Sequence, residues 1–423
     1  VELIDSYYRQ TAQAPLAAPS LVDDIRVDVC VVGGGIAGCS TALHLAQRGF
    51  KVALLEAHSV GWGASGRNGG QILPGYSCGQ DTLQATVGPE LAKRMWGVSL
   101  EGVRLVRTLI ERYNIDCDLG VGHVEAALNT HQRGELLKTQ RALQDDYEYH
   151  DLRMLERDEL QSFVASRLYC AGLLDRGALH LHPLNYTLGV ARAARDAGVR
   201  IHENTSVTKL DTGAQTRVHT SQGSVVAEFV VLCCNAYIDS LAERPQSRIM
   251  PVGTYMIATE PLGDTNIAAV LPQNVAVSDA KFILDYFRRT PDTRLLFGGL
   301  VSYSGLHASA AHGVRRPLLK VFPQLRGAKI DFAWGGYIDI TMNRAPDFGR
   351  IAPNVYYLQG FSGHGVALTG VAGQLVADAV AGHAERFDWF SNIPHRKFPG
   401  GPLRMPTLVL AMLWYRLRDV LGR

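Results

Sequence analysis

The chain has 423 residues and a mass of 46.1 kDa; 47% of its residues are hydrophobic, 19% are charged and 43 are glycine. That length supports two cores, and so apolar a composition excludes intrinsic disorder, while a net charge of +2 gives no bulk electrostatic reason to expect nucleic acid. Glycine exceeds its usual ~7% without any three-residue period, which excludes a collagen-like chain and leaves the excess to be explained.

Residues 1–26 are polar and proline-punctuated and read as an arm, with neither the basic nor the apolar stretch of a signal peptide. Val27–Val32 is a short β-branched run that predicts a buried parallel strand. Gly33-Gly34-Gly35-Ile36-Ala37-Gly38 follows, then a helical stretch to Arg48 capped by Gly49, then a second strand, 51–55, ending at Glu56. Helical spacing predicts helices over 84–113, 132–147 and 184–198. Strand-like runs follow at 200–210, 216–220 and 225–232. Residues 249–302 alternate as an antiparallel sheet does, and a helix over Val366–Val380 is closed by Gly382. The seven cysteines form no CxxC pair and read as reduced thiols in a cytoplasmic setting. No uninterrupted apolar run reaches the ~18 residues that a membrane span needs.

The glycine motif carries the first chemistry. In Gly33-x-Gly35-x-x-Gly38, the first glycine allows the tight turn, the second lets a pyrophosphate approach the backbone, and the third lets helix and strand pack closely. Free N–H groups around Ile36 and Ala37 at the helix N-terminus then face the phosphates. Glu56, 18 residues after Gly38, is placed to accept ribose hydroxyls. A second cluster, Gly61 to Gln71, follows closely enough to belong to the same cofactor, the alternative being a flexible surface loop. It contains Ala64, Ser65, Arg67, Asn68, Gly69, Gly70 and Gln71.

The run GASGRNGGQ within that cluster and the later run GFSGHG (360–365) resemble the D-amino acid oxidase-like superfamily of amine- and amino-acid-oxidising flavoproteins. DVCVVGGG, RYNIDCD (112–118), HPLN (182–185), NAY (235–237), FPQL (322–325) and AERFDWFSNIPHRKFPGG (384–401) extend the likeness nearly end to end, toward a branch acting on long amines. The resemblance implies FAD, held without a covalent bond. It implies contacts from the residues already named, from Val207, and from Gly363, His364, Gly365 and Val366. His364 is either a donor to the flavin or an organiser of the loop. It also implies a two-domain α/β flavoprotein. A discontinuous Rossmann-type FAD-binding domain comprises 27–80, 178–240 and 336–395, and a substrate domain with a mostly antiparallel sheet comprises 81–177 and 241–335. Residues 396–423 form a basic, apolar tail.

Three departures bear on the substrate. Ala367 stands where sarcosine-type relatives carry a carboxylate-holding lysine, Ile340 where they carry a flavin-linked cysteine, and Ile338 near the carboxylate-binding arginine of glycine oxidases. A small amino acid clamped by its carboxylate therefore fits less well than a longer amine. The expected reaction is oxidation of a C–N bond to an imine, by hydride transfer from a neutral amine to flavin N5, without an obligatory catalytic base. Oxygen or a respiratory-chain carrier accepts the electrons. The alternatives are a cyclic secondary amino acid (L-pipecolate or proline) as substrate and a non-catalytic FAD-binding subunit. Candidate pocket residues are Tyr255, Tyr286, Phe287, Arg288, Tyr303 and Arg344, with Tyr286 and His364 the candidates for catalysis. Tyr286 and Phe287 are adjacent on a strand, so only one of them faces the flavin. Trp334 reads as core, and either pocket tyrosine or phenylalanine reads equally as sheet packing. Arg344 either holds an acidic group or pairs with Asp347. His180 and His182 lack a third metal ligand, so no metal is expected. The tail Thr407–Arg423 either lies on a membrane surface as a basic amphipathic helix or packs against protein.

Overall fold

The β-branched run forms a central strand, Ile25–Val32, and the glycine turn after it leads into the helix Ile36–Gln47. The computed structural model describes residues 6–302 and 312–399. Within them, this strand pairs in parallel with Val52–Leu55 on one side and Ser224–Leu232 on the other. Arg200–His202 and Val355–Gln359 extend the parallel sheet, and Asp347–Ala352 closes one edge antiparallel. Strand alternation sends Val29 and Val31 into the core beneath the helices Ile36–Gln47, Pro89–Tyr113, Pro183–Asp196 and Gly365–Val380. Cys30 and Val32 face the opposite core, shared with the hairpin of Val207–Asp211 and Thr216–Thr220. Burial on both faces is why these strands read as continuous apolar runs.

A second sheet runs in the order Ile330–Thr341, Ile249–Thr259, Leu295–Ser302, Tyr286–Arg289, Ala276–Asp279, Gly120–Ala127, Ala171–His180, Gln71–Ile72, with Leu152–Glu156 also paired to Ala171–His180. Its pairings are antiparallel except that Ala276–Asp279 runs parallel to Gly120–Ala127. Gln71–Ile72, the end of Ala171–His180 and residues 336–341, read from sequence with the FAD-binding segments, hydrogen-bond in this sheet.

Three elements differ from expectation for local reasons. The helix expected over 84–113 is two helices, Gln80–Val87 and Pro89–Tyr113, because Gly88 adopts φ +85° and Pro89 lacks the N–H that would continue the first. The strand expected over 200–210 breaks after His202, where Glu203 turns inward to accept the N–H groups of Ala18 and Val60. The arm is docked rather than free. Tyr8 is fully buried, edge-on to Trp334 at 5.6 Å and to His182 at 4.9 Å, and the Tyr7 hydroxyl donates to Asp292 at 2.9 Å. Among the described residues no single helix is long and apolar enough to cross a membrane. The tail from Thr407 and Tyr303 lie outside the described residues.

Candidate functional site

A cavity of about 560 Å³ opens at the carboxyl ends of the parallel strands, the place where such sheets bind ligands. Its floor is Gly33, Gly34, Gly35, Ile36 and Ala37, with Glu56 at the end of the next strand. Gly33 has φ +107°, and a Cβ there would lie 2.5 Å from the Cys233 carbonyl oxygen; a Cβ on Gly38 would lie 1.8 Å from that of Gly33. Only glycine fits either position. The second glycine loop is tied onto the first: Gly61 N–H donates to the Gly34 carbonyl at 2.9 Å, and the Ser65 hydroxyl accepts from Ile36 N–H at 2.9 Å. Ala64, Ser65 and Asn68 thereby reach the cavity wall. Asn68 uses both ends of its amide to hold the loop, donating to Ala64 O and accepting from Gly70 N–H. Val207 joins from the hairpin, and Gly363, Gly365 and Val366 from the third loop.

Charge is arranged to suit an anion at one end and hydroxyls at the other. The helices Ile36–Gln47 and Gly365–Val380 both begin at the cavity, without a side-chain bond from their own N-cap residue and without an acid in the first turn. Each presents the positive end of its dipole. Glu56 is half-buried at the cavity, and desolvation pushes its carboxyl up, while N–H bonds from His58 (2.9 Å) and Gly34 (2.6 Å) partly counter this. Its remaining lone pairs are free for hydroxyl donors. His58 stacks on Trp62 at 3.9 Å beside it.

The structure separates the other expected residues by role. Gly38 packs beneath the turn rather than lining the cavity. Arg67 turns away from it: Nε donates to Trp62 O at 2.7 Å, Nη1 to Gly335 O at 3.1 Å, and the guanidinium lies 4.5 Å over the Trp62 ring. Gly69 abuts the Tyr286 ring, Gly70 O accepts from Leu181 N–H, and Gln71 pairs with His180 and donates to Val277 O. These three anchor the loop to the second sheet and do not line the cavity. The His364 ring lies 3.1 Å from Pro74 O through Nε2, and burial lowers its basicity; it orders the loop.

The substrate candidates are corrected further. Tyr255 and Phe287 belong to the second sheet's core, Phe287 between Phe297 (5.4 Å) and Phe322 (5.1 Å). Tyr286 faces the other way, as strand alternation requires, and packs with Tyr8 and Trp334 against Gly69. Arg288 is 3% exposed and donates to the carbonyls of Gly69 and Leu181, both at 2.8 Å, and to the Tyr8 hydroxyl at 3.1 Å. It is a tie between segments, and no carboxylate is its partner among the described residues. Arg344 lies over the Phe282 ring at 4.8 Å, while Asp347 is engaged by Arg248, Tyr357 and Gln359. Trp334 donates its indole N–H to Arg67 O. His180 faces Asn274 O, and His182 caps the helix Pro183–Asp196.

Sequence reasoning missed Cys233, Asn235, Tyr237 and Asp339, all of which line the cavity. The first three follow directly on the strand Ser224–Leu232. The general rule that ligands sit beyond the carboxyl ends of parallel strands was the signal available for them.

A glycine-floored cleft at the strand ends, a ribose-suited acid and two helix N-termini without a bond from their N-cap side chains, one of them giving its first N–H to Ser65, define a dinucleotide-dependent oxidoreductase with a second, covering sheet. The chain belongs to the FAD dependent oxidoreductase family (DAO), which matches residues 28–379. It is 42% identical over 424 residues to the gamma-glutamylputrescine oxidoreductase of Escherichia coli K12, an alignment covering 100% of this chain and 99% of that protein. A probable oxidoreductase of Haemophilus influenzae is 39% identical over 405 residues, covering 95% of this chain and 93% of that protein. The crystal structure of glycine oxidase from Geobacillus kaustophilus, 21% identical, superposes with a TM-score of 0.71 over 84% of this chain and 95% of that one, which speaks for the fold. FAD is the cofactor. The cradle fits it: side chains at Gly33 or Gly38 would collide with backbone, Glu56 has acceptor capacity to spare, and the helix ends face where a pyrophosphate would sit. When bound, FAD supplies the two-electron acceptor that no side chain can provide.

Proposed function

We propose that this chain oxidises the C–N bond of an amine to an imine, with γ-glutamylputrescine or a related long amine as substrate. The observation that carries the reading is the 42% identity, end to end, with the Escherichia coli enzyme of that name. The cavity supports it. Ile338 lines the wall, Ala367 is buried within the first turn of its helix, and among the described residues no lysine or arginine lines the cavity. A small amino acid would find no cation there for its carboxylate. Ile338, Leu358, Phe361 and Val366 give the wall an apolar stretch, and apolar surroundings favour the neutral form of an amine. FAD is held without a covalent link: Ile340 stands at the cysteine position, and burial pushes the cavity thiol of Cys233 up to about 12, leaving no thiolate.

The test is anaerobic mixing of the yellow holoprotein with a panel of long amines, γ-glutamyl amines, proline, pipecolate and glycine. Fastest bleaching by a γ-glutamyl amine supports the reading. Bleaching by none of the panel refutes catalysis on C–N bonds, and fastest bleaching by proline or pipecolate refutes the substrate class. Admitting oxygen or a quinone to the bleached sample then identifies the electron acceptor.

A further inference from the structure

The third cavity loop is held by a carboxyl from the other sheet. Asp339 lies near the end of the strand Ile330–Thr341, opposite Pro251, is 1% exposed and lines the cavity. Its Oδ2 accepts Gly360 N–H at 2.5 Å, its main-chain oxygen accepts Ser362 N–H at 3.0 Å, and Phe361 N–H adds a further bond to the carboxyl. Thr341 N–H donates to the Ser362 hydroxyl on the same side. Gly360, Ser362 and Gly363 all have positive φ, so the loop's unusual course depends on these bonds.

No cation pairs with Asp339 among the described residues. The charged group set against it is another acid, Asp347 on the neighbouring first-sheet strand, which is itself engaged by Arg248 at 3.3 Å, with His395 at 3.9 Å. A buried carboxylate held only by N–H donors is responsive to any charge added nearby. Burial pushes this carboxyl up to about 7, the N–H bonds from Gly360, from its own backbone and from Phe361 opposing.

We propose that Asp339 is a positioning residue that fixes the course of the 360–363 loop, and that it takes up one proton from solvent when the bound cofactor is reduced. A hydride carries two electrons and one proton, so its arrival adds one negative charge to the cavity. The proton taken up by Asp339 offsets that charge and returns to solvent when the two electrons leave. This rests on FAD occupying the cavity but on no particular substrate.

The experiment uses the FAD-loaded protein, reduced chemically against redox dyes from about pH 6 to 9, so that it reads out even if no amine in the panel is a substrate. The wild type is expected to take up one more proton per two electrons than Asp339→Asn, over a range above the value of about 7 to which burial raises this carboxyl in the cofactor-free protein. Equal proton counts overturn the proposal. FAD affinity tests the positioning role: the Asn amide oxygen still accepts Gly360 N–H, so Asp339→Asn is expected to bind FAD within about threefold of wild type, and Asp339→Ala on the order of ten- to a hundredfold more weakly. An Asp339→Ala protein that binds FAD as tightly as wild type also overturns it.

Discussion

Arg288 separates a substrate-binding reading from a structural one. Its guanidinium joins the glycine loop at Gly69, the strand end at Leu181 and the docked arm at Tyr8, whose ring it also overlies at 5.8 Å. Arg288→Met keeps the length of the stem and removes every donor, leaving two carbonyls and one hydroxyl short of a partner. Bonds from a charged donor contribute about 1.5–3 kcal/mol each, so losing the two at 2.8 Å costs roughly 3–6 kcal/mol. At about 2.1 cal/mol/K per residue over 423 residues, that is a fall in Tm of roughly 3–7 °C. Arg288→Lys is expected to recover only part of it, because one ammonium cannot reproduce a planar fork aimed at three segments. Thermal unfolding with and without FAD gives the stability, and amine steady-state kinetics gives KM. A variant with wild-type Tm and a strongly raised KM would make Arg288 a substrate anchor and refute the structural account.

Glu56→Gln replaces a two-oxygen acceptor with one that must turn an amide NH2 toward either Gly34 N–H or His58 N–H. FAD affinity is expected to fall on the order of ten- to a hundredfold by fluorescence titration, and an unchanged Kd would remove Glu56 from the site. His182 is buried, caps its helix by accepting from Asn185 N–H, and is pushed down to about 3 by burial, with the charge of Arg288 adding. Its pKa is lower folded than unfolded, so the unfolded state binds the extra proton below about pH 6.5, and the neutral ring's contribution is lost as pH falls. Between about pH 7 and 5 the wild type should lose about 2 kcal/mol relative to His182→Asn, which keeps a capping side chain. Denaturant titrations at the two pH values measure the gap, and a gap that does not change with pH rejects the assignment.

The parts of the site legible in the sequence are those built by neighbours in the chain. Gly33, Gly35, Gly38 and Glu56 form one strand-turn-helix-strand unit, and each of their roles is a local backbone constraint. On the antiparallel strands alternation was legible too, since Tyr286 and Phe287 do face opposite sides. The pattern does not say which side is core, because that depends on Phe297 and Phe322 arriving from elsewhere. Arg288 was placed among the pocket candidates because its acceptors are chiefly main-chain oxygens, which no side-chain pattern records. Asp339 was overlooked inside an apolar strand because its partner, Gly360, lies 21 residues away.

The glycine excess has a similar two-level explanation. Twelve of the 43 glycines lie in the three loops, but loops from opposite ends of the chain converge only if the helices behind them pack closely. A Cβ on Gly373 would lie 2.6 Å from Thr41 N, and the Ser40 hydroxyl donates to Gly370 O at 2.7 Å, so the helices Gly365–Val380 and Ile36–Gln47 meet backbone to backbone. That contact sets where both N-termini point, one from the first glycine loop and one from the third. Asp339 then fixes the third loop from the covering sheet, and Gly69–Gly70 fix the second. The shape of the cavity is therefore set as much by residues that never line it, Gly373 and Arg288 among them, as by those that do.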